Sequence, residues 1–118
     1  MEPYGLDISP ELADLARRRL PEWADRIWTG NAVDWTPPRR FDAIRTGLEY
    51  VPFDRRRDLV EHLLGACNRL VVGVQNEERD APGLEAEVGS WGFEIAGRSE
   101  RPHPNPQLAY RAFWIDAK

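Results

Sequence analysis

Apolar and polar positions change their period several times along the chain, and each change marks an element. "YGLD", residues 4–7, is a short apolar stretch closed by an aspartate. In the "SPELADLARRRLP" that follows shortly after it, Leu12, Leu15, Ala16 and Arg19 recur at helical spacing, and Leu20 extends the stripe. Ser9 is a good N-cap and Pro10 a good first helical residue. Glu11 and Asp14 near the start, with Arg17–Arg19 near the end, complement the helix dipole, and Pro21 stops the helix. "RIWTG", residues 26–30, predicts a second strand ended by glycine, and "NAVDWTPPRR" predicts a loop. "FDAIRTG", residues 41–47, predicts a third strand. Residues 54–66 predict a helix with Asp54 as its N-cap and Leu59, Val60, Leu63 and Leu64 as its buried face. "RLVVGV", residues 69–74, is a continuous β-branched run, the pattern of a strand buried on both faces. "GLEAEVGSWG" predicts a short helix ended by Gly92. "FEIAGRSE" and "AYRAFWIDA" alternate like antiparallel strands joined by "RPHPNP".

The predicted order is β-α-β-β-α-β-α-β-β. Helices between apolar strands imply an α/β fold with a mostly parallel sheet, and the last two strands form a C-terminal antiparallel hairpin on its edge. No repeat, low-complexity segment or linker interrupts the 118 residues, so a single domain over 1–118 is expected.

Charge and cysteine content narrow the function classes. Acids outnumber bases by 20 to 16, for a net charge of −4, which argues against a nucleic-acid partner held by bulk electrostatics. The local arginine clusters read as solvated helix and loop faces. One cysteine permits no internal disulfide, and with only two histidines no metal-ligand spacing is present, so no metal is expected. Cys67, in an apolar run, reads as a small core residue. The absence of a basic, then apolar leader and of any run near 20 apolar residues points away from a membrane and toward a cytoplasmic protein.

The chemistry-bearing residues cluster at strand ends. In open parallel sheets, ligands sit outside the C-terminal ends of the strands. Three such ends carry polar or small residues: Asp7, then Gly30-Asn31-Ala32, then Arg45-Thr46-Gly47. An ionised aspartate is acceptor-only with two oxygens, so Asp7 suits a pair of vicinal ribose hydroxyls. Ile8 can pack on a purine face, and the Asn31 amide can pair with an adenine edge. The competing reading of Asp7 is a turn residue that hydrogen-bonds local backbone or helps cap the next helix. Glu49, Tyr50, His62 and His103 are the groups to inspect as a base, and none is assigned as catalytic. The five tryptophans are scattered and read as packing; Trp35, close after Asn31, is the one placed to border an adenine pocket.

"YGLDISPELADLARRRLP…RIWTGNAVDW…RFDAIRTGLEYVP…LLGACNRLVVG" resembles the middle and C-terminal part of a class I S-adenosylmethionine-dependent methyltransferase, a Rossmann-like fold. The resemblance implies a ribose-binding role for Asp7 and adenine contacts for Ile8, Asn31 and Ala32. It places Arg45 and Thr46, with Gly47, at the methionine end of the cofactor, and "LEYVP" facing cofactor and substrate. It implies S-adenosylmethionine as cofactor and methyl transfer to a small-molecule acceptor. The final hairpin matches the family's last two strands.

The chain departs from the family at its start. The family's first strand and glycine-rich turn have no counterpart, and no G-x-G occurs. In the family that first strand lies between the second and the fourth, so the expected sheet is partial, N-terminally truncated, with two unpaired edges. Three explanations are open: a fragment or late start, direct pairing of the second and fourth strands, or a second copy completing the sheet as a homodimer. In each, this chain alone is expected to bind the cofactor weakly. Two rival functions follow. One is a non-catalytic methyltransferase-like interaction domain, and the other a nicotinamide-binding Rossmann domain, whose support the missing glycine turn removes equally.

Overall fold

The computed structural model describes residues 4–48, 51–74, 81–105 and 109–117. They fall into two compact units, Met1–Pro37 and Pro38–Lys118. In the first, β1 (Gly5–Asp7) and β2 (Ile27–Thr29) pair in parallel, with Gly5 opposite Ile27 and Asp7 opposite Thr29. The crossover between them carries α1 (Pro10–Arg19) and a 3-10 turn, Pro21–Arg26. The predicted cap forms: Ser9 Oγ accepts the Leu12 N–H at 3.3 Å and Pro10 opens the helix. Such a cap stabilises a helix by roughly 0.5–2 kcal/mol.

The buried face of α1 differs from the expected stripe. Ala13 is fully buried, whereas Leu12 and Leu20 are 54% and 40% exposed. Leu12, Ala16 and Leu20 instead line an open hollow of about 250 Å³ with Trp23 and Ile27. The stripe of large apolar residues borders this hollow, and the smaller Ala13 is the residue of α1 that is fully buried.

Arg17 holds β2 from its far side. Its Nε and Nη2 donate to the Ile27 carbonyl at 3.0 and 2.8 Å. Gly30 N–H donates to the Asp7 carbonyl at 2.9 Å, so strand alternation points the Ile27 carbonyl away from β1. Trp28, alternating with Ile27, stacks on Tyr4 with centroids 5.7 Å apart and meets Trp35 at 5.8 Å. The border position expected of Trp35 is therefore shared with an aromatic packing contact.

The second unit is a four-stranded sheet in the order β3-β4-β6-β5. Its strands are β3 (Phe41–Gly47), β4 (Cys67–Val74), β5 (Gly97–Pro102) and β6 (Ala109–Asp116). β3 and β4 are parallel; β6 runs antiparallel to both β4 and β5. The predicted third strand and terminal hairpin are thus present. Its helices are α2 (Arg56–Leu64) and α3 (Ala81–Ser90). Gly92, at φ 93°, takes the left-handed conformation that follows a helix end.

Two local expectations are corrected. Asp54 is not the N-cap of α2. A 3-10 turn, Phe53–Arg55, precedes the helix, and Arg55 occupies the cap position but does not cap the helix through its side chain. The Arg55 N–H already donates to the Pro52 carbonyl at 2.8 Å, which winds the chain tightly and delays the α-helix to Arg56. Nor is β4 buried on both faces. Leu70, Val72 and Val74 are buried, while Val71 and Gly73 are half-buried and Arg69 is exposed. The helices cover one face: Leu59, Val60 and Leu63 of α2 and Leu84 and Val88 of α3 share the core with Leu70, Val72, Phe113 and Ile115. The other face carries Arg69, whose Nε donates to Asp116 at 2.6 Å and whose guanidinium lies 5.3 Å from the Trp114 ring.

The fold is mixed α/β with a partly parallel sheet. Among the described residues the ladders are β1–β2, β3–β4, β4–β6 and β5–β6.

Candidate functional site

The parallel pairing of β1 and β2 brings two of the expected strand ends together. Asp7 closes β1, and Gly30-Asn31-Ala32 follow β2 directly beside it, joined by the hydrogen bond from Gly30 N–H to the Asp7 carbonyl. The Asp7 side chain is half-buried, and its Oδ1 accepts the Ser9 N–H at 2.9 Å. The local-turn role weighed against ribose binding is therefore real. It uses one carboxylate oxygen; Oδ2 makes no hydrogen bond to a described residue. A carboxylate offers about four acceptor positions in all, so the turn and a ligand hydroxyl are compatible.

Ile8 is 68% exposed, an apolar side chain presented without packing. Asn31 is exposed and organises its own loop. Its Oδ1 accepts the Val33 N–H at 3.0 Å, and its carbonyl accepts from Asp34 and Trp35 at 3.0 and 2.9 Å. With Oδ1 engaged, Asn31 retains its amide NH₂, a donor suited to a purine ring nitrogen. Ala32 is half-buried in the same turn. Asp7, Ile8, Asn31 and Ala32 thus form one group.

Arg45 and Thr46 belong to the second unit, near the carboxyl end of β3. Strand alternation separates their side chains. Thr46 pairs with buried Val72 on the helix-covered face, with Oγ1 donating to the Gly47 carbonyl at 3.4 Å. Arg45, opposite Val71, is exposed on the other face. Its guanidinium lies over Gly73 of β4: a Cβ there would meet Nη2 at 3.2 Å. Gly73 was not singled out from the sequence. The signal was available, since a glycine inside an apolar strand marks a close approach.

The remaining candidates are dispersed. Glu49 and Tyr50 lie outside the described residues. His62 is half-buried on α2. The Nδ1 of His103 accepts the Asn105 N–H at 3.0 Å, in the loop after β5. Cys67 is buried, and burial pushes its thiol up while nearby Arg40 pulls it partly back. This environment suits a core residue and not a nucleophile. Among the described residues no group of His, Cys, Asp or Glu is arranged to hold a metal, and no helix is long and apolar enough to cross a membrane.

Helix-linked parallel strands, a terminal antiparallel hairpin and polar strand ends define a Rossmann-like fold of the class I S-adenosylmethionine-dependent methyltransferase type. Several solved structures share it. One is magnesium protoporphyrin IX methyltransferase from Synechocystis with bound S-adenosylmethionine, at a TM-score of 0.70 and 17% identity; the match covers 98% of this chain and 59% of that one. Another is the N-methyltransferase NodS from Bradyrhizobium japonicum, at 0.73 and 12%, covering 95% of this chain and 71% of that one. A third is the glycopeptide N-methyltransferase MtfA complexed with S-adenosylmethionine, at 0.80 and 11%, covering 99% and 72%. This chain therefore spans between 59% and 72% of the length of these enzymes. No protein-family model matches the sequence, and neither does any curated protein.

Proposed function

We propose that this chain carries the adenosine-binding part of an S-adenosylmethionine-dependent methyltransferase acting on a small molecule. The observation that supports it most is the convergence of Asp7 and Ile8 with Asn31 and Ala32 at the carboxyl ends of two adjacent parallel strands. Asp7 Oδ2 would accept from the ribose hydroxyls, exposed Ile8 would cover the purine, and the Asn31 NH₂ would donate to a ring nitrogen. Arg45 and Thr46 keep the methionine-end role in this proposal. The cofactor would supply an electrophilic methyl group on a sulfonium. Transfer is an in-line displacement in which positioning carries much of the acceleration, so the absence of an assigned base is compatible with it.

Small-molecule acceptors are supported by the relatives of this fold, one of which was crystallised with 1,6-didemethyltoxoflavin. A cytoplasmic location fits a free thiol at Cys67. The same reading takes the chain to be one domain. The outer edge of β3, seven residues without a strand partner among the described residues, supports a second copy completing the sheet. Light scattering after size exclusion tests this, a dimer being expected and a monomer at all concentrations refuting it.

Titration of ¹⁵N-labelled chain with S-adenosylhomocysteine tests the cofactor reading. Weak, saturable shifts are expected at the amides of Asp7, Ile8, Asn31 and Ala32. Asp7→Ala should weaken binding by about tenfold or more, since hydrogen bonds to a charged group contribute roughly 1.5–3 kcal/mol. Shifts confined to other segments, or none with millimolar ligand, would refute it.

A further inference from the structure

Arg56 is the first residue of α2, and its guanidinium joins three parts of the second unit. Its Nε donates to the Val51 carbonyl at 3.1 Å, and its Nη1 donates to Glu87 Oε2 of α3 at 3.3 Å. Its Cζ lies 4.4 Å from the centroid of the Phe53 ring, within cation–π range. The side chains of Arg56 and Glu87 are only 14% and 17% exposed, whereas the Arg69–Asp116 and Arg98–Glu85 pairs are open to solvent on at least one side.

Burial holds residues 51–55 little. Pro52, Phe53, Asp54 and Arg55 are all exposed, and such segments open most readily. The bonds from Val51 N–H to the Leu48 carbonyl and from Arg55 N–H to the Pro52 carbonyl are local to the turn. By contrast, α3 is anchored by buried Leu84 and Val88, so Glu87 is a fixed post. That post is itself incompletely satisfied. Glu87 Oε1 is buried and accepts no hydrogen bond from a described residue. A buried carboxylate oxygen without a donor is disfavoured relative to a hydrated one. The bond that Oε2 accepts is also longer than the roughly 2.7–2.9 Å of a good charge-assisted bond. Desolvation therefore offsets part of the attraction within the closed pair.

We propose that Arg56 and Glu87 form a latch on the turn between β3 and α2. Closed, it fixes residues 51–55 against α3. Open, it hydrates both charges and lets those residues move as a unit while the helices stay packed on the sheet. Ligands of open parallel sheets sit at the carboxyl ends of the strands. The latched turn follows the carboxyl end of β3, so the latch sets the shape of that end. Glu87 is a positioning residue, acting on the turn through Arg56.

Native-state hydrogen exchange of the full chain, read residue by residue by NMR, tests the latch. The amides of Val51 and Arg55 report on the turn, and those of Leu70 and Val72 on the core. Glu87→Ala leaves Arg56 without its partner, and Arg56→Met removes both ties. Each should speed exchange at Val51 and Arg55 by about tenfold or more, with Leu70 and Val72 changed far less. Arg56→Lys, whose single ammonium cannot span both acceptors, should fall between the parent chain and Arg56→Met. With Arg56→Met in place, adding Glu87→Ala should speed the turn no further, because the latch is already open. If Arg56→Met fails to fold, the same comparison is made in Arg56→Lys, where Glu87→Ala should have a smaller effect than in the parent chain. Equal acceleration at all four amides would overturn the proposal, since the pair would then be an ordinary brace of the fold. Unchanged exchange at Val51 and Arg55 in Glu87→Ala would overturn it too, as would fully additive effects in the double variant.

Discussion

Gly97→Ala is the substitution whose outcome the geometry constrains most. Gly97 of β5 stands opposite Trp114 of β6, and the indole lies directly over it. A Cβ at 97 would meet Cζ2, Cε2 and Nε1 of that ring, the last at 2.8 Å. Ordinary carbon contacts are about 3.5–4.0 Å, so the ring must move. Backbone strain does not enter, because Gly92 is the one glycine with positive φ among the described residues. Two effects therefore compete. Alanine is favoured over glycine inside a strand by roughly 0.5–1 kcal/mol. Against it, forcing a packed ring aside costs roughly 1–3 kcal/mol, and moving the indole from under Arg69 removes a cation–π contact of about 0.5–1 kcal/mol. The steric side wins, and a net destabilisation of about 1–3 kcal/mol is expected. Urea unfolding followed by far-ultraviolet circular dichroism measures it. With a slope of about 1–3 kcal/mol per molar, the midpoint should fall by about 1 M. Trp114→Val supplies the control: with the ring gone, adding Gly97→Ala should be neutral or mildly stabilising. A raised midpoint in the parent background would refute the reasoning, as would an equal loss in both backgrounds.

Three further outcomes follow from the core and its open face. Leu63→Ala, at a residue 3% exposed on α2, should cost about 2–5 kcal/mol in the same unfolding assay; a loss near zero would mean that α2 does not cover the sheet. Cys67 should resist iodoacetamide at pH 8 in the native chain and react quickly in denaturant, because burial and a raised thiol pKa both suppress the thiolate. By the same shift it favours the folded state below the ordinary thiol range, about 8.5, and that contribution fades as pH rises above it. The Arg69 hydrogen bond holds the Asp116 carboxyl below the usual carboxylate range. Its stabilising effect is thus present above the unfolded carboxylate pKa and lost as pH falls through the lower, folded value. Carbon-detected NMR titration of Asp116 should show its midpoint rise in Arg69→Gln, and an unmoved midpoint would exclude the pair.

The elements that the sequence made legible are those whose signal is local. The "FDAIRTG" strand, the Ser9-Pro10 helix start and the terminal hairpin each rest on period or cap chemistry within a few residues, and each formed. Features set by tertiary neighbours were not legible. Nothing in the α1 pattern says that Ala13 is fully buried while Leu12 is left facing an open hollow. Asp54 has cap chemistry, but the 3-10 turn over Phe53–Arg55 moves the helix start, and with it the cap position, one residue on. The run at 69–74 reads as one β-branched stretch, yet only alternate residues are buried under the helices. For the site, Asp7 was identifiable as a strand-end carboxylate, but that one oxygen serves the Ser9 N–H became visible only with the turn in place. The seat of Arg45 on Gly73 joins residues 28 positions apart, and no spacing rule connects them.

The fork of Arg17 on the Ile27 carbonyl makes the small ladder grow one way only. A strand arriving at β2 would have to evict a charged donor pair from that carbonyl, at a cost of about 1.5–3 kcal/mol for each bond lost. At β1 no described side chain guards the backbone in this way. The two-stranded sheet thus has a sealed side and a receptive side. A strand adding to this small ladder, productively or in aggregation, is steered to the receptive side by a single residue of the helix above it.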